Sequence, residues 1–122
     1  MDRILVIDDD EICRRTVTTV LEHSGYVVEQ ADNGEDGVKL ALNNPPSLIV
    51  CDIVMEKLNG LDVRDRLQEA QATSTVPFIF MTGFIDKDSA HGRRALGANA
   101  ILIKPFGLSH LLATVNQCLS LP

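Results

Sequence analysis

The sequence predicts an α/β fold in which five parallel strands alternate with five helices that cover both faces of one sheet. Short runs of β-branched and aliphatic residues alternate with longer segments of helical spacing. The predicted strands begin at residues 3, 26, 47, 77 and 100, which leaves room for one βα unit per step. Apolar residues fill segments such as 4–7 and 48–50, as expected for strands buried on both faces of a parallel sheet. We therefore expect residues 1–122 to form one doubly wound (βα)5 domain.

The strands are predicted over residues 3–7, 26–31, 47–51, 77–81 and 100–103. Apolar residues at helical spacing place the first, third and fifth helices. These sets are Cys13, Val17, Val20 and Leu21, followed by Gly25 as a stop; Val63, Leu67 and Ala70; and Leu108, Leu111, Leu112, Val115 and Leu119. The second helix is predicted over residues 34–42, because the Asn-Asn-Pro-Pro segment at 43–46 ends it.

The fourth predicted helix, residues 86–96, has the weakest pattern of the five. It contains Gly92 and few apolar residues that would pack against the sheet. Because little apolar surface holds it in place, we expect this helix to be comparatively mobile.

Composition narrows the class of protein. Hydrophobic residues make up 45% of the 122 residues, whereas aromatic residues make up only 4%, so Val, Leu, Ile and Ala must form the core. The net charge of −6 argues against direct binding to nucleic acid or to an anionic membrane.

No apolar run approaches the roughly 18 residues that span a bilayer. Residues 1–7 do not resemble a secretory leader, so we expect a cytoplasmic protein. The three cysteines, Cys13, Cys51 and Cys118, lack a C-x-x-C spacing and are expected to be reduced thiols.

Polar residues follow four of the five predicted strands. The acidic run 8–11 follows the first strand, Asp52 the third, Thr82 the fourth and Lys104 the fifth. In an open parallel sheet, ligands bind beyond the carboxyl ends of the strands. The fold therefore gathers these distant residues into one pocket. Taken alone, each has an ordinary explanation, such as a helix cap, a turn or a solvated lysine; their coincidence at strand ends favours a site.

Crowded carboxylates require a counter-charge. Two unit charges 4 Å apart repel by roughly 4 kcal/mol at an effective dielectric constant of 20. The available donors are carboxylates, carbonyls and hydroxyls, which favour a hard cation such as Mg²⁺, for which Mn²⁺ can substitute. A metal, a nucleophilic carboxylate, a lysine and a hydroxyl together form a site suited to phosphoryl transfer.

These residues resemble the receiver domain of the two-component response regulators, over residue 3 to about 119. The matching segments are 4–10, 52–55 with Gly60 eight residues past the aspartate, 80–83, 96–98 and 104–106. Each segment alone is a weak signal, but together, in this order and spacing, they are a strong one. The resemblance implies a flavodoxin-like sheet with strand order 2-1-3-4-5.

The resemblance also assigns roles at the site. Asp52 would be the phosphoacceptor. Mg²⁺ would be bound by Asp9 directly, by Asp8 mainly through water, by Asp52, and by the backbone carbonyl of Val54. A histidine kinase or a histidine phosphotransfer protein would donate the phosphoryl group, so the domain would turn over no outside substrate beyond its own phosphorylation and dephosphorylation.

Thr82 and Lys104 would act on the acyl phosphate. By the resemblance, the Thr82 hydroxyl moves to hydrogen-bond it and the Lys104 ammonium bridges to it. The peptide bond between Lys104 and Pro105 is a candidate for the cis isomer. The surface of the fourth helix, fifth strand and fifth helix would be the one that changes, and it is where a phosphorylation-linked dimer would form. The sequence does not identify a downstream effector or a fused output domain.

Two positions depart from the family pattern. Glu56 stands where proline usually follows the phosphoacceptor by four residues, which removes a rigid φ and adds a negative charge. Ile101 stands where many relatives carry an aromatic ring that swings inward. Signalling is therefore expected to run through Phe84, Ile85 and the fourth helix, and Phe84 is a candidate shield of the acyl phosphate against water.

Three other functions compete with that of a phosphorylated receiver. A small aspartyl phosphatase of the haloacid dehalogenase type would use Asp8 as the nucleophile, but Ile12 stands at the last position of its D-x-D-x-[TV] motif and the chain is short for that class. Flavin binding on the same topology requires a first βα turn rich in Ser, Thr and Gly, not an acidic run. An unphosphorylated receiver used only for docking is disfavoured by the intact site residues.

Other polar residues have ordinary interpretations. Cys51 is expected in the core, and His23, His91 and His110 at the surface. The pair Arg93-Arg94 is interpreted as a solvated face, with docking of an acidic partner as the alternative.

Overall fold

The computed structural model describes residues 2–86, 89–95 and 97–120. Strands and helices alternate along this part of the chain. They are β1 (Arg3–Ile7), α1 (Glu11–His23), β2 (Val27–Ala31), α2 (Gly34–Asn43), β3 (Leu48–Asp52), α3 (Gly60–Glu69), β4 (Phe78–Thr82), α4 (Ala90–Ala95), β5 (Ala100–Ile103) and α5 (Leu108–Leu119). All paired strands are parallel, in the order β2-β1-β3-β4-β5. The predicted fold class and strand order are confirmed.

Three strands begin and two end later than predicted. β2, β3 and β4 start one residue after the predicted positions, and for β4 the reason is that Pro77 has no N–H to donate to the ladder. Asp52 and Thr82 are the last residues of β3 and β4, rather than the first residues of the following loops. Because the sheet holds their backbones, their side chains start from rigid positions.

The core consists of two layers, one on each face of the sheet. Alternate strand residues point to opposite faces. Leu5, Ile7, Ile49, Cys51, Phe78 and Phe80 pack with α2 and α3, whereas Ile4, Val6, Leu48, Val50, Ile79 and Met81 pack with α1 and α5. The prediction that Cys51 belongs to the core is confirmed. Cys13, Cys51 and Cys118 are all free thiols, as expected.

The fourth helix is shorter than predicted. It covers Ala90–Ala95 rather than 86–96, of which residues 87, 88 and 96 lie outside the described part of the chain. Ser89 caps it, because its hydroxyl accepts from Gly92 N at 2.9 Å and its carbonyl from Arg93 N at 3.0 Å. A Cβ at position 92 would lie 1.7 Å from the carbonyl oxygen of Asp86. Gly92 is therefore not a simple weakness of the helix, since it lets the preceding loop pack against it.

Among the described residues, no helix is long and apolar enough to span a bilayer.

Candidate phosphoacceptor site

Three carboxylates meet at the carboxyl end of the sheet. Strand β1 pairs with β3 so that Ile7 lies opposite Cys51, which places the next residues, Asp8 and Asp52, side by side. Each of Asp8, Asp9 and Asp52 offers an oxygen within 4.8 Å of the others. Asp8 is fully buried and Asp52 is 7% exposed, whereas Asp9 faces solvent. Asp52 therefore lies close to Asp8 and Asp9, as the sequence predicts, although it is far from them along the chain.

Asp8 is held on several sides. Its backbone N–H donates to the carbonyl of Ala31 at 3.1 Å, which extends the β1–β2 ladder by one bond. Its Oδ1 accepts from Asp10 N at 2.9 Å, while the Asp10 carboxylate caps α1 by accepting from Ile12 N at 3.0 Å. Asp10 is therefore the N-cap of α1. These contacts direct the other oxygen of Asp8, Oδ2, towards the centre of the site.

Lys104 brings a positive charge to the cluster. Its Nζ lies 3.3 Å from Asp8 Oδ2 and 3.3 Å from Asp52 Oδ2. Its backbone N–H donates to the carbonyl of Thr82 at 2.7 Å, and the bond to Pro105 is cis, as predicted. Burial acts to lower the pKa of Lys104, but the carboxylates of Asp52 and Asp8 outweigh it and raise the pKa above its usual value. The lysine is therefore charged in the folded protein.

Burial and neighbouring charges shift the pKa of Asp52. Burial raises the pKa of Asp52 to about 6, with a further contribution from the negative charge of Asp8, while Lys104 opposes the rise. Lys104 Nζ pairs with two of the three carboxylates, Asp8 and Asp52, and one ammonium cannot neutralise all three, which leaves negative charge on oxygen donors. Hard divalent cations prefer such donors, so the residues present fit Mg²⁺. Asp8, Asp9 and Asp52 are the side chains that would hold it.

The β3–α3 loop closes one side of the site. Val54 N donates to Asp52 Oδ1 at 3.3 Å, and the Val54 side chain is 73% exposed. Gly60 N donates to the carbonyl of Ile53 at 2.9 Å, and a Cβ at Gly60 would lie 2.3 Å from the Asp52 carbonyl oxygen. Only glycine permits this approach, so the sequence signal at Gly60 reflects packing under Asp52. Glu56, which replaces the usual proline, is exposed.

The loop after β4 lies at the other side of the site. The Thr82 hydroxyl donates to the carbonyl of Phe84 at 3.0 Å, and the Phe84 ring is 78% exposed. Ile101 is half-buried and packs against the core layer that contains Phe80 and Ala95. The hydroxyl of Thr82 is thus engaged within its own loop in this state.

Several surface predictions have mixed outcomes. His23 and His110 are exposed, as predicted, whereas the side chain of His91 lies outside the described residues. Arg94 is not simply solvated, because its Nη2 lies 2.5 Å from Asp65 Oδ2 and 3.7 Å from Asp62 Oδ1 of α3. Docking of an acidic partner on the arginine pair stays a prediction.

The sequence patterns did not predict one contact at the site. Arg14, in the first turns of α1, donates from Nη1 to the carbonyl oxygen of Asp8 at 2.9 Å and from Nε to Gln30 Oε1 at 3.1 Å. The signal available was positional, since residue 14 lies one helical turn beyond the cap Asp10 and therefore faces back to the end of β1.

The parallel sheet in this strand order, with three acids and a lysine at its carboxyl edge, defines a receiver-type α/β domain. A family model described as the response regulator receiver domain matches residues 4–116. The chain therefore belongs to the receiver domain family of the response regulators of two-component systems, as the sequence resemblance indicated.

Relatives and solved structures agree with this assignment. The chain is 38% identical to protein PilH of Pseudomonas aeruginosa, covering 98% of this chain and 99% of that protein. It is 37% identical to the DNA-binding dual master transcriptional regulator RpaA of Synechocystis, of which it spans 49%. The chemotaxis protein CheY4 of Vibrio cholerae superposes with a TM-score of 0.89 at 25% identity, covering 97% of this chain and 98% of that one. A putative response regulator from Chloroflexus aurantiacus gives 0.88 at 27% identity, with 98% of both chains covered. The chain spans only about half the length of relatives such as RpaA.

Proposed function

We propose that this receiver domain accepts a phosphoryl group on Asp52 in a Mg²⁺-dependent reaction and changes its surface in response. The observation that carries the proposal is the position of the Asp52 carboxylate, which has an oxygen within 4.8 Å of oxygens of Asp8 and Asp9 and its Oδ2 3.3 Å from Lys104 Nζ. Membership of the family supports a phosphohistidine of a histidine kinase or a histidine phosphotransfer protein as the donor.

In the proposed reaction, an oxygen of ionised Asp52 attacks phosphorus, an O–P bond forms, and the N–P bond of the donor breaks. The imidazole of the donor leaves with the electron pair of that bond. No general base is required, because the carboxylate attacks in its ionised form. Asp52 is therefore competent above the pKa of about 6 that burial gives it, and cation binding would extend this range downwards.

Bound Mg²⁺ would neutralise charge that develops on the phosphoryl oxygens. Asp8 and Asp9 would hold it, and the Val54 carbonyl is proposed as a further ligand. Mn²⁺ would substitute, because it also prefers oxygen ligands. Lys104 would exchange its contact with Asp52 Oδ2 for one with a phosphoryl oxygen. The domain would thus promote its own phosphorylation and slow dephosphorylation, without turning over an outside substrate.

The geometry favours Asp52 over Asp8 as the nucleophile. The Asp8 side chain is fully buried, whereas that of Asp52 is 10% exposed. Asp8 Oδ1 also accepts a shorter hydrogen bond, 2.9 Å from Asp10 N, than Asp52 Oδ1 accepts from Val54 N, 3.3 Å. This distinguishes the proposed switch from a phosphatase of the haloacid dehalogenase type, in which Asp8 would form the acyl phosphate.

The central test is intact mass after treatment with a small phosphodonor and Mg²⁺. One added phosphoryl group is expected on wild-type protein, lost in Asp52→Asn and on metal chelation. Asp10→Asn is the matched control, since asparagine also caps a helix and the acceptor is untouched. Phosphorylation that persists in Asp52→Asn, or that maps to Asp8, would refute the proposal.

The switch is proposed to run through Thr82, Phe84 and α4. Thr82 would release the carbonyl of Phe84 to bond the acyl phosphate, and the exposed Phe84 ring would then be free to move over it. Phe84→Ala is expected to shorten the lifetime of phospho-Asp52. Ile103→Ala, which truncates an exposed apolar side chain of β5, should leave that lifetime unchanged. An unchanged lifetime in Phe84→Ala would dismiss the shielding role.

Lys104 is proposed to link the phosphoryl group to this rearrangement. Lys104→Ala should still accept phosphate, but phosphorylation should no longer alter hydrogen exchange in residues 89–95. If the exchange response of Lys104→Ala matched that of wild type, the bridging role would be wrong.

The net charge of −6 supports a domain that does not itself bind nucleic acid or anionic membranes. A cytoplasmic setting is part of the proposal. The surface of α4, β5 and α5 is proposed as the one that a downstream effector, a fused output domain or a second copy would contact after phosphorylation.

A further inference from the structure

Arg14 lies between the site and the edge strand of the sheet. Its guanidinium bonds the backbone carbonyl of Asp8 at 2.9 Å through Nη1 and the side chain of Gln30 at 3.1 Å through Nε. Gln30 lies on the edge strand β2, opposite Val6 of β1. Arg14 therefore connects three elements, α1, the end of β1 and β2, at the residue where the metal-binding turn begins.

The Asp8 backbone is fixed by two bonds of different kinds. Its N–H donates to Ala31 O at 3.1 Å within the sheet, and its carbonyl accepts from Arg14. With both ends of the residue held, the Asp8 carboxylate and the following Asp9 leave the strand in a defined direction. A planar guanidinium suits this role, because its donors have fixed angles and engage two acceptors at once.

We propose that Arg14 is a positioning residue for the divalent-cation site, acting through the Asp8 carbonyl rather than through any contact with the ion. This inference rests on the proposed Mg²⁺-dependent function. Supporting residues around metal ligands orient them, and their loss commonly weakens metal binding by roughly 10-fold or more.

The sign of the effect separates positioning from simple charge. Arg14 is a cation near a cation site, so Coulomb's law alone predicts that removing it strengthens Mg²⁺ binding. Positioning predicts the reverse. Arg15 provides the matched control, since it carries the same charge on the same helix but is exposed and pairs with Glu11 at 3.1 Å. Arg15→Ala should leave Mg²⁺ affinity unchanged or slightly increased.

The experiment is calorimetric titration of the unphosphorylated protein with MgCl₂, for wild type, Arg14→Ala, Arg14→Lys and Arg15→Ala. We expect Arg14→Ala to raise the Kd roughly 10-fold. Arg14→Lys should recover part of the affinity, because an ammonium keeps the charge and one donor but cannot bridge Asp8 and Gln30 in the same way. Arg14→Ala binding Mg²⁺ as tightly as wild type, or more tightly, would overturn the inference.

Gln30→Ala gives an independent arm, which decides the matter if Arg14→Ala does not fold. It leaves every charge in place and removes only the exposed anchor of the guanidinium. A Kd raised about 2- to 5-fold in Gln30→Ala would support the linkage. Where Arg14→Ala folds, the double variant Arg14→Ala/Gln30→Ala should lose no more affinity than Arg14→Ala alone. An unchanged Kd in Gln30→Ala would count against it. A wild-type protein that binds no Mg²⁺ would refute the proposed metal site itself, whereas the variants test only the role of Arg14.

Discussion

Helices α1 and α4 follow strands β1 and β4, which both end at the site, yet the protein attaches the two helices by different means. Helix α1 has 13 residues, an N-cap at Asp10, and Val17 and Leu21 buried against the sheet. Helix α4 has six residues, of which Ala95 is the buried apolar side chain among those described. Apolar burial contributes about 25 cal/mol per Å², so α1 is anchored much more strongly.

Helix α4 is instead tied to α3 by polar contacts at the surface. Arg94 pairs with Asp65 at 2.5 Å, and Arg64 donates to the carbonyl of Gly97, just after α4, at 2.6 Å. We call these two contacts the α3–α4 clasp. Exposed ion pairs contribute about 0–1 kcal/mol each. The element proposed to rearrange is thus held by contacts that are easily broken, while the side proposed to bind Mg²⁺ rests on buried packing.

The largest expected effect on stability lies at Gly60, on the side of the site that rests on buried packing. Gly60→Ala should lower the free energy of unfolding by about 1–3 kcal/mol, since a Cβ 2.3 Å from the Asp52 carbonyl forces β3 or α3 to move. Urea denaturation would measure it. Gly83→Ala is the control, because a Cβ there meets nothing within 4 Å. Equal stability of the two variants would mean that β3 and α3 accommodate the added Cβ without strain, so that this side of the site is not rigid.

These two regions also differ in how well the sequence predicted them. Strand patterns and strand ends placed Asp8, Asp52 and Lys104 correctly at one edge, because apolar periodicity reports burial directly. The start of α4 was wrong by several residues, since Ser89 and the close contact of Gly92 with Asp86 determine it and neither leaves a periodic signal. Polar contacts between distant elements, such as that of Arg14 with Gln30, are likewise absent from local patterns.

The next largest effect on stability concerns the charge of Asp52. The pKa of Asp52 is about 6, above its ordinary 3.8, so the folded protein binds this proton more tightly than the unfolded chain. The stabilisation from this group is therefore present below about pH 4 and is lost as pH rises through 6. Asp52→Asn, which cannot ionise, should be more stable than wild type at pH 8 in EDTA by on the order of 1–3 kcal/mol.

Thermal or urea unfolding across pH 3.5–8 would check this sign. The difference between Asp52→Asn and wild type should shrink towards zero at the acid end, and excess Mg²⁺ at pH 8 should also reduce it by binding the wild-type cluster. A variant less stable than wild type at pH 8 without metal would show that the ion pair with Lys104 outweighs burial at Asp52.

The smallest effect is expected at the α3–α4 clasp. Arg94→Ala should change global stability by no more than about 0.5–1 kcal/mol, because the pair is exposed at the surface. Hydrogen exchange in residues 89–95, however, should accelerate several-fold, since α4 buries little apolar surface within the described part of the chain. Arg66→Ala, which removes an exposed arginine from α3 itself, is the charge-matched control and should leave that exchange unchanged.

Ionic strength sharpens the same test. At 1 M salt the screening length is about 3 Å, so wild-type exchange in residues 89–95 should approach that of Arg94→Ala, whereas exchange in α1 should stay slow. The charge-swapped double variant Arg94→Asp/Asp65→Arg should restore part of the protection at low salt. If Arg94→Ala left the exchange of α4 unchanged at every salt concentration, the burial of Ala95 and the packing of Gly92 under Asp86 would suffice to hold the helix, and α4 would differ from α1 in length but not in the kind of attachment.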